Sequence, residues 1–237
     1  MLTASFFARP TLRVARELLG KVLARNQNGK KFSGIITEVE AYIGAKDLAC
    51  HASRGRTKRT EGLYAKPGTL YVYLIYGMYW CLNIVTERKD FPAAVLIRAV
   101  EPLEGIEMMA KNRHRRLLPS SPELQRGERE SGIRSPHIRQ DPQSKFSATL
   151  LHPQSFRVRN DILNLTNGPG KLCEALKIDG KLHGKPMKCD TLWIEDRGVN
   201  VPPSRIVRTP RIGVDYAKHC AEYPWRFLLK SPNTKKR

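Results

Sequence analysis

Apolar and polar positions alternate through the second half of the stretch Phe32 to Tyr42, which reads as a β-strand. Val22 to Arg25 reads as its hairpin partner across the turn Asn26-Gln27-Asn28-Gly29. Upstream, the pattern predicts a short helix from Leu12 to Leu19, capped by Thr11 and ended by Gly20. Leu70 to Tyr76 and Met78 to Val85 read as paired strands that meet near Gly77. The apolar run Ala93 to Val100 predicts a buried strand, after which Pro102 is expected to open a helix carrying Leu103, Ile106 and Met109 on one side. Further on, Asn167-Gly168-Pro169-Gly170-Lys171 leads into a helix to Lys177. Strands are expected near Thr191 to Glu195 and Ile206 to Val214.

Residues 111 to 145 break this order, with nine Lys/Arg against four Asp/Glu, four prolines and few apolar positions. They read as a disordered basic insertion that adds weak, salt-sensitive contacts to a polyanion. Apolar segments lie on both sides and neither side suffices alone. The expected fold is therefore one mixed α/β (α+β) domain over residues 1–230, with an antiparallel sheet core, surrounding helices and a protruding hairpin. Residues 231–237 read as a basic tail.

Charge sharpens the picture. The chain of 237 residues has 42 Lys+Arg and 22 Asp+Glu, a net charge of +20, at an ordinary charged fraction of 27%. Such an excess of one sign in a chain able to form a core points to a polyanionic partner, nucleic acid first. Six of the basic residues (46, 54, 56, 58, 59 and 66) fall in one predicted loop, 46 to 66. The most apolar stretch, Leu70 to Val85, is interrupted by Gly77 and Asn83, so no membrane span or membrane partner is expected. Five cysteines without a CxxC pair suggest reduced thiols, and six histidines form no HExxH or HxH pair, so no metal site is expected. The expected setting is cytoplasmic and nucleoid-associated in a bacterium, or nuclear in a eukaryote.

Several residues have the means to do chemistry. Strand alternation puts Glu38, Glu40 and Tyr42 on one face, and paired carboxylates suit general acid–base cleavage of glycosidic bonds; solvent-facing strand residues are the plainer alternative. His51 follows on the basic loop. Tyr71, Tyr73, Tyr76 and Tyr79 crowd one hairpin. Cross-strand packing accounts for most of them, but Tyr76 beside Gly77 marks the tip, where an aromatic wedge can enter a base stack. Asn83 interrupts an apolar strand and needs hydrogen-bond partners if buried. Arg98, inside Ala93 to Val100, wants a carboxylate or phosphate; Glu40 is the attractive candidate, although Glu38 or Glu101 could serve. The Gly-Pro-Gly-Lys turn lacks the P-loop spacing and reads as an ordinary helix start.

The blocks Thr37-Glu38-Val39-Glu40-Ala41-Tyr42-Ile43-Gly44 with Asp47 and His51, and Lys66 through Tyr79 with Asn83-Ile84, resemble the 3-methyladenine (alkyladenine) DNA glycosylase family. Val95 to Ala99 with Glu101-Pro102, Gly168 to Cys173 and Arg211-Ile212-Gly213 continue the match in order. The resemblance implies a monofunctional, cofactor-free purine glycosylase of base-excision repair, a monomer acting on double-stranded DNA. Its expected substrates are 3-methyladenine, 7-methylguanine, hypoxanthine and ethenoadenine. Carried over residue by residue, Glu40 is the general base and Arg98 its partner. Tyr42, His51 and Tyr73 sandwich a flipped base, Asn83 discriminates at the purine edge, and Tyr76 intercalates. Thr60 departs from the asparagine expected at its place. Two other readings compete: a nucleic-acid binding module that has lost catalysis, and a glycosidase of free nucleosides. The presence of both Glu40 and Arg98 speaks against the first, and the charge with Tyr76 against the second.

Overall fold

The computed structural model describes residues 1–114, 160–187 and 190–230. Its centre is an eight-stranded sheet, antiparallel at every pairing, built on two long neighbours, β2 (Lys30–Ile43) and β5 (Ala93–Glu104). β1 (Val22–Gln27) pairs with residues 30–35 of β2, and β8 (Arg226–Leu229) pairs with residues 38–40 along the same edge. β3 (Leu70–Ile75) and β4 (Tyr79–Val85) continue the sheet beyond β5. β6 (Leu192–Glu195) closes the other edge against β1, and β7 (Ile206–Thr209) pairs with β8.

Helices α1 (Ala4–Phe7), α2 (Thr11–Leu18), α3 (Ile106–Asn112) and α4 (Pro169–Ala175) surround the sheet. Phe7, Leu18, Met109 and Leu172 join Ile36, Leu82 and Ile97 in one core. The chain is a single mixed α/β domain.

Several elements differ from the expected ones for local physical reasons. Thr11 is the first residue of α2 and Pro10 takes the cap position. The capping acceptor is Glu87, whose Oε1 receives the Thr11 amide at 3.1 Å and hydroxyl at 2.8 Å. Pro102 opens no helix; it continues β5 opposite Gly34, and Gly105, in the left-handed region, separates the strand from α3. Residues 111 and 112 complete α3, so the expected insertion starts too early; its residues 115–145, and the tail 231–237, lie outside the described residues. α4 ends at Ala175 rather than Lys177, whose φ is 50°. Pro210 stops β7 at Thr209, leaving Arg211 to Val214 as a loop.

One irregularity positions the site. The core residues of β2 are Phe32 and Ile36, then Val39 and Ala41; those of β5 are Val95 and Ile97, then Val100. Each strand changes phase once, and the register shifts on both sides of Glu38 as the pairing skips Thr37 and Arg98. An unbroken alternation from Ile36 would point Glu38 and Glu40 into the apolar core. The paired bulges turn both carboxylates and Arg98 to the opposite face.

The segment Asp215–Glu222 kinks at Lys218, with φ 51° and ψ −132°, a conformation that suits glycine. Lys218→Gly is expected to raise unfolding free energy by about 1 kcal/mol in urea denaturation, as relieved strain outweighs the added chain entropy.

Candidate active site

The face that receives Glu38, Glu40 and Arg98 adjoins a cavity of about 450 Å³, a size suited to a small planar ligand. Tyr42, His51, Tyr73, Asn83, Leu96 and Arg98 line it, and the exposed Tyr76, Tyr79, Ile212 and Tyr216 surround its opening. The strand and loop residues that the sequence singled out for a base pocket thus meet on one cavity. Tyr76 stands apart at the rim, 78% exposed.

Glu40 is fully buried behind three residues that line this cavity. Its Oε2 accepts the Tyr42 hydroxyl at 2.7 Å and an Arg98 Nη1–H at 3.2 Å, and its Oε1 accepts the Ile212 amide at 2.9 Å. All three partners are donors and all three are cavity walls, so the carboxyl is held as an acceptor beside the ligand space. Burial works against the charge of Arg98, but Glu40 and Glu38 outweigh it and raise the guanidinium's pKa. Burial, with the charge of Glu40 second, pushes the Tyr42 phenol well above its ordinary value, so it donates rather than ionises.

His51 starts a 3-10 turn, His51–Arg54, and packs edge-on against Tyr73 with ring centroids 4.5 Å apart. The Tyr71 hydroxyl donates to the Arg59 carbonyl at 3.2 Å, so it accepts from Nδ1–H of His51 at 3.0 Å. That leaves Nε2 of the neutral ring as an acceptor. Asn83, 3% exposed, donates to the Tyr71 carbonyl at 3.2 Å, which supplies the partner its burial requires. Thr60 bonds its own loop through Thr57 and the Gly55 carbonyl, a local role that leaves the cavity untouched.

Burial, helped by Arg59 and Arg54, lowers the His51 pKa below 6.5. The unfolded chain then binds this proton more readily than the folded one. Stability from this group is therefore complete above pH 6.5 and falls as pH drops from there through the lowered folded value. In urea titrations the stability difference between wild type and His51→Gln should be level above that pH and shrink on acidification. A difference that grows on acidification would contradict this.

Sequence reasoning alone missed how the cavity wall is pinned. Arg211 forks onto Asp47 through Nη1–Oδ2 at 2.6 Å and Nη2–Oδ1 at 2.8 Å, and donates to the carbonyls of Ala41 and Cys220. Its guanidinium lies between the rings of Tyr42 at 4.8 Å and Trp225 at 5.1 Å. Asp47 also accepts the amides of Ile43 and Ala49. One buried pair thus joins the loop that carries His51 to the loop that presents the Ile212 amide. On the far wall Gly170 packs closely on Tyr79: a Cβ there would sit 3.0 Å from that side chain, which would have to give by a few tenths of an ångström. Burial pushes the thiol of Cys50 up to about 12 and that of Cys81 to about 11, so both cavity cysteines stay protonated and neither is a ready nucleophile.

Comparison with known proteins finds similarity along nearly the whole chain. The family model for methylpurine-DNA glycosylase matches residues 5–233. A Clostridium perfringens (strain 13 / Type A) protein that bears the name of a 3-methyladenine DNA glycosylase is 44% identical over 227 residues, 95% of this chain and 93% of its own. A protein of the same name from Methanocella arvoryzae is 42% identical over 239 residues, covering 100% of this chain and 96% of its own. Another from Alkaliphilus oremlandii is 41% identical over 230 residues, 97% and 95% of the two chains. The chain belongs to the methylpurine-DNA glycosylase family, whose members are hydrolytic N-glycosylases of alkylated bases in DNA repair.

Proposed function

We propose that this glycosylase rotates an alkylated or deaminated purine out of duplex DNA into the cavity and hydrolyses its bond to the sugar, with Glu40 as general base. The observation that carries the reading is Glu40 itself: a buried carboxylate held by Tyr42, Arg98 and the Ile212 amide, each of them a wall of the ligand space. A base inside the duplex is out of reach of such a group, so it must leave the stack first, at a cost of a few kcal/mol. Tyr76 offsets part of that cost by filling the gap, and the basic loop 46–66 supplies contacts to phosphate.

In the chemical step the C1′–N bond breaks and its electron pair leaves with the base. Water bonds to C1′, and Glu40 takes one of its protons. As an anion, Glu40 also stabilises the positive charge that develops on the sugar. Alkylated purines that are already cationic leave without a further proton, and the aromatic walls Tyr42, His51 and Tyr73 suit a cationic ring. Neutral purines such as hypoxanthine need a proton as they depart. The proposed substrates are 3-methyladenine, 7-methylguanine, hypoxanthine and ethenoadenine, and the proposed working form is a monomer.

Duplexes that each carry one of these lesions test the reading. Base release that leaves an intact, alkali-labile abasic strand is expected. Lysine 171 lines the cavity, so trapping of a covalent DNA adduct by borohydride would overturn the monofunctional part of the reading. Equal activity on free nucleosides would overturn the DNA part. Tyr76→Ala should weaken binding to a lesion duplex by about 5- to 150-fold, the equivalent of one lost aromatic–base stack at ~1–3 kcal/mol. Fluorescence anisotropy measures this directly.

A further inference from the structure

The bulges that turn Glu40 away from the core turn a second carboxylate, Glu38, to the same face, and the mechanism above does not use it. Glu38 is nearly buried, and its Oε1 accepts two guanidinium N–H groups, Nε of Arg98 at 2.7 Å and Nε of Arg226 at 2.6 Å. Arg226 comes from β8, which pairs with β2 at Glu38, Val39 and Glu40, and its Nη1 also reaches the Thr209 hydroxyl at 3.3 Å. Arg98 meets Glu40 through Nη1 alone, at 3.2 Å, a longer contact than its bond to Glu38. The chain of contacts runs Thr209, Arg226, Glu38, Arg98, Glu40, and its two carboxylates balance its two guanidinium groups.

An arginine beside a single carboxylate tends to engage it as a two-toothed fork, with both oxygens occupied. Such a fork on Glu40 would draw on the oxygen that now faces only the Ile212 amide and would hold the base in a closed ion pair. Glu38 takes Nε of Arg98, which excludes the side-on fork and fixes the guanidinium in an orientation where Nη1 alone reaches Glu40. We propose that Glu38, itself anchored by Arg226, is a positioning residue for the hydrolytic step: it restricts Arg98 to a single hydrogen bond on Glu40 and keeps the second oxygen of Glu40 available to water. The proposal rests on the reading of Glu40 as the base.

Single-turnover excision at saturating enzyme, from a duplex with one 3-methyladenine analogue or one hypoxanthine, tests it. Glu38→Gln keeps the shape and removes the charge. The expected result is a rate lower by about 10- to 100-fold, the scale of a small misplacement of catalytic groups, with lesion-duplex Kd within about twofold of wild type. Arg226→Gln, which releases the far hold on Glu38 without touching Arg98, should lower the rate in the same direction by less. Arg98→Lys removes the Nε–H and the planar guanidinium through which Glu38 acts, so adding Glu38→Gln to it should cost little more. Glu38→Gln at wild-type rate, or a full independent loss on the Arg98→Lys background, would overturn the positioning role. If Glu38→Gln does not fold, the Arg226→Gln rate decides: an unchanged rate overturns the role. Glu40→Gln is run beside them. If that variant still excises, the reading of Glu40 falls; if it is inactive while Glu38→Gln is unimpaired, only the positioning role falls.

Discussion

Asp47→Ala is expected to cost about 3–5 kcal/mol of unfolding free energy, because it strands the Arg211 guanidinium in a site where both partners are fully enclosed. The pair itself is no great source of stability, since removing two charges from water offsets most of their attraction. The cost arises from breaking it on one side. Carbonyls of Ala41 and Cys220 and the faces of Tyr42 and Trp225 remain, but none of them carries a countercharge. The amides of Ile43 and Ala49 lose their acceptor as well. The paired substitution Asp47→Leu with Arg211→Met removes both charges and should recover much of the loss. Urea denaturation of the wild type and both variants checks this. A loss under about 1 kcal/mol for Asp47→Ala would contradict a buried, desolvated pair. Excision should fall too, since the same pair sets the His51 loop against the Ile212 amide that holds Glu40.

The strands of the central sheet are legible in the sequence because their apolar residues keep a period of two and their turns carry Asn-Gly or lie beside Gly77. The bulges are legible in hindsight: Ile36 and then Val39 form a phase change that only an extra residue can accommodate. By contrast, β8 is four residues long and its partner lies near Glu38, so nothing local announces it. Asp47 and Arg211 are separated by 164 residues, and each alone reads as one more surface charge. Pro102 misled the reading because a proline more often starts a helix than continues a strand. The individual candidates Glu40, Arg98 and Tyr42 are visible in strand alternation, but their hydrogen bonds to one another depend on the paired bulges. The Ile212 amide has no sequence signal, since any non-proline residue supplies one.

Glu40→Gln should abolish catalysis while sparing recognition. The variant keeps the size of the side chain, and its one carbonyl oxygen can still accept from Tyr42 and Arg98; only the Ile212 amide loses its acceptor, so the fold and cavity are preserved. It loses the capacity to take a proton from water and the negative charge that faces the developing positive sugar. Acid–base catalysis and preorganised electrostatics each contribute factors of about 10²–10⁴, so a loss of at least ~10³-fold is expected. The decisive measurement is single-turnover release of a modified purine from a duplex with one lesion, at saturating enzyme. Wild type and Glu40→Gln are compared after the lesion-binding affinity of each has been measured. The account predicts base release by the wild type, loss of release in the variant, and lesion binding retained by both. Release by the variant at a rate near that of the wild type, or tight lesion binding with no release by the wild type, would contradict it.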